Sequence, residues 1–178
     1  AIVWVFTGLV GNSPWIPAES ENVSMVMDIV SNNSIIAPLA ASQDSINNPP
    51  LYPFIGATFV KIFSSILAPH EAIRLSNFIW ISLTLVTIGL MTRELWGPGF
   101  GRQAGLIFIA SIGLIFNIHS IRPEVSALLG FALGLYGFAL YHRRPFRASL
   151  VFGFGISIIF LSNGILSLLS IFITSLIL

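Results

Sequence analysis

Asn47-Asn48-Pro49-Pro50-Leu51-Tyr52-Pro53-Phe54 is the point at which this chain changes character. Before it lies a polar, acidic segment from residue 11 to about 44, with turn-forming clusters at Asn32-Asn33-Ser34 and Ser42-Gln43-Asp44. After it the chain is almost wholly apolar. Pro49 and Pro50 carry no amide hydrogen, and each holds the residue before it extended, so no helix runs through the pair. They therefore end a long loop against the start of an apolar region. Loops of that length between apolar segments carry function more often than they merely connect.

Composition places the region after the loop in lipid. Hydrophobic residues make up 55% of the chain and charged residues 8%, and the mean hydropathy is +0.91. A soluble domain has about 25% charged residues. A net charge of +1 offers nothing to a nucleic acid, and the absence of Cys rules out disulfides and thiolate metal sites. Ala1-Ile2-Val3-Trp4-Val5-Phe6 opens the chain inside a hydrophobic run and residues from 165 close it inside another, which reads as a segment of a longer protein.

Residues 1–10 read as the end of a transmembrane helix, stopped at Gly11-Asn12-Ser13-Pro14. Residues 19–30 fit a surface helix: Val23, Val26, Met27 and Val30 form a stripe, with Glu19, Glu21 and Asp28 off it. Spans follow at 76–91, 104–118, 125–141 and 150–161 and from 165 onward. Gly130, Gly134 and Gly137 fit a helix-packing face.

The piece 51–67 is apolar, yet it is broken by Pro53 and carries Lys61. Charge decides its placement. If it lies in the interface, Arg93, Arg102, Arg143, Arg144 and Arg147, five of the eight basic residues, fall on one side. Glu19, Glu21, Asp28, Asp44, Arg122, Glu124 and Asn163 then gather on the other. If it spans, that asymmetry is lost. Cytoplasmic loops are the arginine-rich ones, so 51–67 is expected to be interfacial or re-entrant. The expected architecture is all-α: a polytopic transmembrane bundle whose outer region, 11–75, carries two juxtamembrane helices, followed by five spans within 76–178.

Several polar residues then converge on the outer side. Arg122-Pro123-Glu124 opens a transmembrane hairpin, where ionisable groups mark function by default. Equally, Pro123 suits a first helical position and Glu124 suits the helix dipole. Glu19 and Glu21 fit solvated charges on a surface helix. Lys61 fits a snorkelling cation or a ligand-phosphate contact. Arg74 fits an anchor or a phosphate clamp, and Tyr52 and Trp15 fit an aromatic belt. His70, His119 and His142 have no shared spacing, so no metal site is expected from them. Asn22-Val23-Ser24 and Asn32-Asn33-Ser34 are formal glycosylation sequons.

An acidic outer loop, then Pro49-Pro50-Leu51-Tyr52, then Ala72-Ile73-Arg74-Leu75, then Arg122-Pro123-Glu124-Val125-Ser126, in this order and spacing, resembles the N-terminal half of GT-C-type membrane glycosyltransferases. The nearest group contains the protein O-mannosyltransferases and the aminoarabinose transferases that modify lipid A. The resemblance implies transfer of a sugar from a polyprenyl-phosphate donor to an acceptor outside the cytoplasmic membrane of a bacterium or archaeon, without a nucleotide. By position it implies Glu19 or Glu21 as the base that takes the acceptor proton, and Arg122 and Arg74 on the donor phosphate. Glu124 would orient the acceptor or hold a divalent ion, and Lys61, Tyr52 and Asn163 would line the substrate site. The chain departs from the family pattern at Ala18, where an Asp is common. It departs again at Asn47-Asn48, where Glu-Lys is common, and at Asn163-Gly164, where the family has Lys-Gly. Those missing cations favour the alternative, a catalytically inactive subunit that packs against other membrane proteins. A transporter ranks third, because transporters place charges at the bilayer midplane and here they lie toward one face.

Overall fold

The computed structural model describes residues 18–32, 49–111 and 120–177 of the chain, and the expectations for residues 1–10, Trp15, Asp44, Asn47-Asn48 and His119 lie outside that set. The described residues are all helical, with no strand. Six helices follow one another: α1 (Ala18–Asn32), α2 (Leu51–Phe63), α3 (Pro69–Trp96), α4 (Phe100–Ala110), α5 (Glu124–Leu140) and α6 (Pro145–Ile177). Two of them, α3 and α6, are long and apolar enough to cross a membrane.

Local chemistry sets the boundaries. Pro50 precedes α2, and its carbonyl accepts the first helical bond, from the amide of Phe54. Helix α3 opens with Pro69 in its first turn, where no amide hydrogen is missed, and Glu71 accepts from the Ala68 amide at 3.3 Å. It ends at Gly97, whose φ of 97° only glycine adopts readily. Pro145 starts α6 in the same manner as Pro69 starts α3.

Residues 150–161 and 165 onward, expected as separate spans, are two helical pieces of α6 that meet at a kink at Gly164, where φ is 76° and ψ is −165°. A single left-handed residue breaks the hydrogen-bond ladder there without adding a loop. Pro49 stands against this break, 3.8 Å from where a Gly164 side chain would begin. The expected span at 104–118 begins earlier, at Phe100, and its described part ends at Ala110.

The most extensive packing joins α5 to α6, and α3 lies against α2, α4 and α5. Gly130, on α5, and Gly155, on α6, bring the two backbones together. A methyl group on Gly130 would sit 2.9 Å from the Gly155 carbonyl oxygen, and one on Gly155 would sit 2.8 Å from that of Gly130. Helices meet this closely only through small residues. The main apolar core lies where α1, α2, α3 and the start of α5 meet, and includes Val26, Ile29, Tyr52, Ile73, Trp80 and Ile121.

Helix α1 turns its valines inward as the stripe suggests: Val26 lies in the core and Val23 and Val30 pack against it. Met25, Val26 and Ile29 are buried, while Met27 is 38% exposed. Glu19 and Asn22 precede Val26 and Ile29 on one stripe, at i, i+3, i+7 and i+10. The inward stripe thus begins with an acid and an amide.

Candidate functional site at the Ser120–Glu124 corner

Three helices tie down the short segment that leads into α5. Glu19, in the first turn of α1, is buried. Its Oε2 accepts a bond from Arg74 Nη2 at 3.0 Å, and the side chains of this ion pair are only 8% and 5% exposed. Its Oε1 accepts from the Ile121 amide at 3.1 Å. One turn along α1, Asn22 Nδ2 donates to the Ile121 carbonyl at 3.0 Å. Both main-chain polar groups of Ile121, its N–H and its C=O, are thus held by residues three apart on one helix, which is the spacing that shares a helix face.

Helix α3 repeats the arrangement. Asn77, one turn after Arg74, donates through Nδ2 to the Ser120 carbonyl at 3.0 Å and accepts through Oδ1 from the Tyr52 hydroxyl at 3.0 Å. Tyr52 is fully buried, and burial pushes its phenol well above the ordinary tyrosine range. The negative charges of Glu19 and, more weakly, Glu124 push it the same way, while the Asn77 and Arg122 backbone contacts oppose them. Both carboxylates therefore lie within electrostatic reach of one phenol.

Beyond this clamp come Arg122 and Glu124. Arg122 is half-buried, and its Nε is enclosed with no hydrogen-bond partner among the described residues. Glu124 is exposed in the first turn of α5, where the helix dipole favours a negative charge. The Ser126 hydroxyl donates to the Pro123 carbonyl at 2.7 Å and fixes the turn.

The other sequence-derived candidates stand apart from the corner or in other roles. Arg74 is directed at Glu19, inside the fold. Glu21 is exposed on α1, two residues from the inward-facing Glu19. Lys61 is exposed near the end of α2, nine residues on from Tyr52, or about 14 Å along the axis. Asn163 is half-buried beside the Gly164 break and donates to the Ser167 hydroxyl at 2.7 Å. Among the described residues no three His, Asp or Glu side chains are grouped to hold a metal. Glu19 has one oxygen committed to Arg74 and the other to Ile121.

Sequence reasoning did not single out Asn77, Ser120 or Ile121, and it took Asn22 only as part of a sequon. The available signal was spacing: Asn22 follows Glu19, and Asn77 follows Arg74, by one helical turn. Comparison of the chain with protein-family models, with curated proteins and with solved structures finds no match.

Proposed function

We propose that this chain is part of a polytopic membrane glycosyltransferase that takes a sugar from a polyprenyl-phosphate donor on the side bearing the Ser120–Glu124 corner. The observation that carries the reading is the clamp. Side chains from α1 and α3 hold one short connecting segment, with Arg122 and Glu124 directly after its clamped residues. A guanidinium in a partly dehydrated position suits a phosphate, since charge-assisted bonds to it are the strong ones. A nearby exposed carboxylate suits an acceptor hydroxyl.

In this reading Glu124 takes the acceptor proton as the acceptor oxygen bonds to the anomeric carbon. The bond from that carbon to the phosphate oxygen breaks, and polyprenyl phosphate leaves with the electron pair against Arg122. Such a base is worth about 10²- to 10⁴-fold in rate. Glu19 and Arg74, which the resemblance put on the base and the phosphate, act instead as positioning residues, because each is committed to the other. The charges support the accompanying topology. Glu19, Arg74, Arg122 and Glu124 lie at one end of α3 and α5, while Arg93, Arg143, Arg144 and Arg147 lie at the other. The arginine-rich end is the cytoplasmic one by the charge bias of membrane proteins.

A second reading, a non-catalytic subunit, is favoured by one observation. The best-built polar feature here, the Glu19–Arg74–Ile121 clamp, is buried and closed on itself. Sugar transfer by the purified full-length protein in proteoliposomes, from a radiolabelled polyprenyl-phosphate sugar, decides between them. Under the transferase reading Glu124→Gln lowers turnover at least about 100-fold, and Arg122→Ala raises the donor concentration required. No transfer by the unaltered protein, with donor absent from the binding fraction, establishes the subunit reading.

A further inference from the structure

Helices α3, α4 and α5 line an open groove of about 680 Å³ whose wall begins at Leu128, one turn along α5 from Glu124. That volume lies within the range of about 300–1,000 Å³ typical of sites for small organic molecules. Thr84 and Trp96 of α3, Phe100 and Phe108 of α4, and Leu128 and Leu135 of α5 mark its extent. The two threonines on its wall do not make it polar. Thr84 Oγ1 donates to the Trp80 carbonyl at 2.7 Å and Thr92 Oγ1 to the Ile88 carbonyl at 2.8 Å. Their hydroxyls are spent on the helix, and what remains toward the groove is hydrocarbon.

Two features identify an occupant. The first is length. From Thr84 to Trp96 the groove follows α3 for about 18 Å at the helical rise. Half of the hydrocarbon core of a bilayer is about 15 Å. The groove therefore runs from the arginine-rich end of the bundle to about the level of the midplane, the depth of one leaflet. The second is charge. At the shallow end Gln103 is on the wall, and Arg93 and Arg102, each next in sequence to a wall residue, are exposed. Glu94, the acid of that end, is paired with Arg143 at 3.5 Å. The end of the bundle at which the groove opens is cationic, and the groove itself is apolar.

We propose that this groove binds one acyl chain of an anionic phospholipid from the leaflet at the arginine-rich end, with its phosphate at the cationic surface that the exposed Arg93, Arg102, Arg143, Arg144 and Arg147 give that end. The inference rests on the membrane topology proposed above and is independent of sugar transfer. It also gives α4 a role. Gly101 meets Gly89 so closely that a side chain on Gly101 would sit 2.8 Å from the Gly89 carbonyl oxygen. This contact holds α4 against α3 at the shallow end, and the lipid chain fills the space further along.

The test uses the purified full-length protein in mixed micelles with palmitoyl-oleoyl phosphatidylglycerol and the phosphatidylcholine bearing the same chains. Native mass spectrometry should find one phosphatidylglycerol retained per chain. Arg102→Gln should reduce the preference over phosphatidylcholine about fivefold, the effect of one surface cation on an anionic lipid. Ala104→Phe, which fills the groove, should abolish retention. Should that variant fail to fold, the unaltered chain still answers. Phosphatidylglycerol brominated along its acyl chain should quench the Trp96 emission, taken as the difference from Trp96→Phe, more than the phosphatidylcholine analogue does. Equal retention of both lipids, no quenching of Trp96, or a dimer of this chain that buries Ile107 and excludes lipid would overturn the proposal. Those outcomes in a protein that still requires a bilayer leave the transferase reading intact. Recovery of the protein from the aqueous phase without detergent would remove the topology on which both depend.

Discussion

Glu19 and Ile121, 102 residues apart in the chain, are joined by a 3.1 Å hydrogen bond from the Ile121 amide to the Glu19 carboxylate. The same carboxylate holds Arg74 at 3.0 Å. Three distant segments therefore share one buried anion. Its contribution depends on completeness, because a buried charge whose partner is removed is left without compensation.

Replacing Glu19 by Gln should thus destabilise the protein by roughly 3–5 kcal/mol, the cost of breaking a buried pair from one side. Arg74→Met should cost a similar amount. The double variant Glu19→Leu, Arg74→Met should cost distinctly less than the sum, since it buries no uncompensated charge. It still leaves the Ile121 amide without an acceptor, at about 1–3 kcal/mol. Denaturant titration in micelles, run as a double-mutant cycle, measures the coupling. Additive losses would show that the two residues do not act as a pair.

Tyr52 gives the same corner a pH dependence. Its folded value is raised above the unfolded one of about 10. The stabilisation from keeping the phenol neutral is therefore whole below pH 10 and is lost as the pH climbs from there toward the folded value. At pH 7, Tyr52→Phe should cost about 1 kcal/mol through the lost bond to Asn77. Above pH 10 the gap between the two proteins should narrow, because only the unaltered one has this phenol to ionise on unfolding. Thermal midpoints at pH 7, 9 and 11 follow it, and a constant gap would contradict the assignment.

Much of this was legible in the sequence, and the remainder was hidden for definite reasons. Proline placement marked the start of α2, and the apolar runs from Ser76 and Val125 marked α3 and α5, because these depend on neighbours a few residues away; α3 itself starts seven residues before Ser76, at Pro69. The inward face of α1 was legible in part. Val23, Val26 and Val30 do face the core, but the inward turn of Glu19 and Asn22 was not legible, because they reach Ile121 on a segment far along the chain. No helical period reports a contact across 102 residues. The same distance left Arg74 open between an anchor and a phosphate clamp until Glu19 was seen opposite it. At Ser162-Asn163-Gly164 the sequence signalled a break between two spans, and the kink at Gly164, with its positive φ, supplies it. Gly155 escaped notice because a packing glycine is identifiable only with its partner on the facing helix.

That partner can be tested directly. Gly130→Ala places a methyl group 2.6 Å from the Ile159 Cγ1 and 2.9 Å from the Gly155 carbonyl oxygen. The second contact is with backbone and cannot be relieved by a rotamer change, so α5 and α6 must separate. The expected cost is roughly 1–3 kcal/mol, as for other overpacked sites. Gly153→Ala, two residues before Gly155 but with open space around it, should instead stabilise by up to about 1 kcal/mol through helix propensity. If both substitutions behave alike, the close helix crossing is not what holds α5 to α6.

The topology makes the last prediction. Ser20 lies in the first turn of α1 at the clamped end, and Ser149 lies in the first turns of α6 beside the arginines at the other; both are exposed. In a chain without cysteine, single substitutions at these positions supply the only thiols. A membrane-impermeant maleimide added to intact cells should label Ser20→Cys and leave Ser149→Cys unlabelled until the membrane is opened. The expectation follows from α3, whose 28 residues extend for about 42 Å between the two ends. That length exceeds a hydrocarbon core of about 30 Å, so its ends lie in different aqueous phases if it spans upright. The arginine bias then assigns Ser149 to the cytoplasm. Labelling of both thiols from outside would mean that α3 does not cross. Labelling of Ser149→Cys alone would invert the protein, put the Ser120–Glu124 corner in the cytoplasm, and remove the polyprenyl-phosphate donor from consideration there.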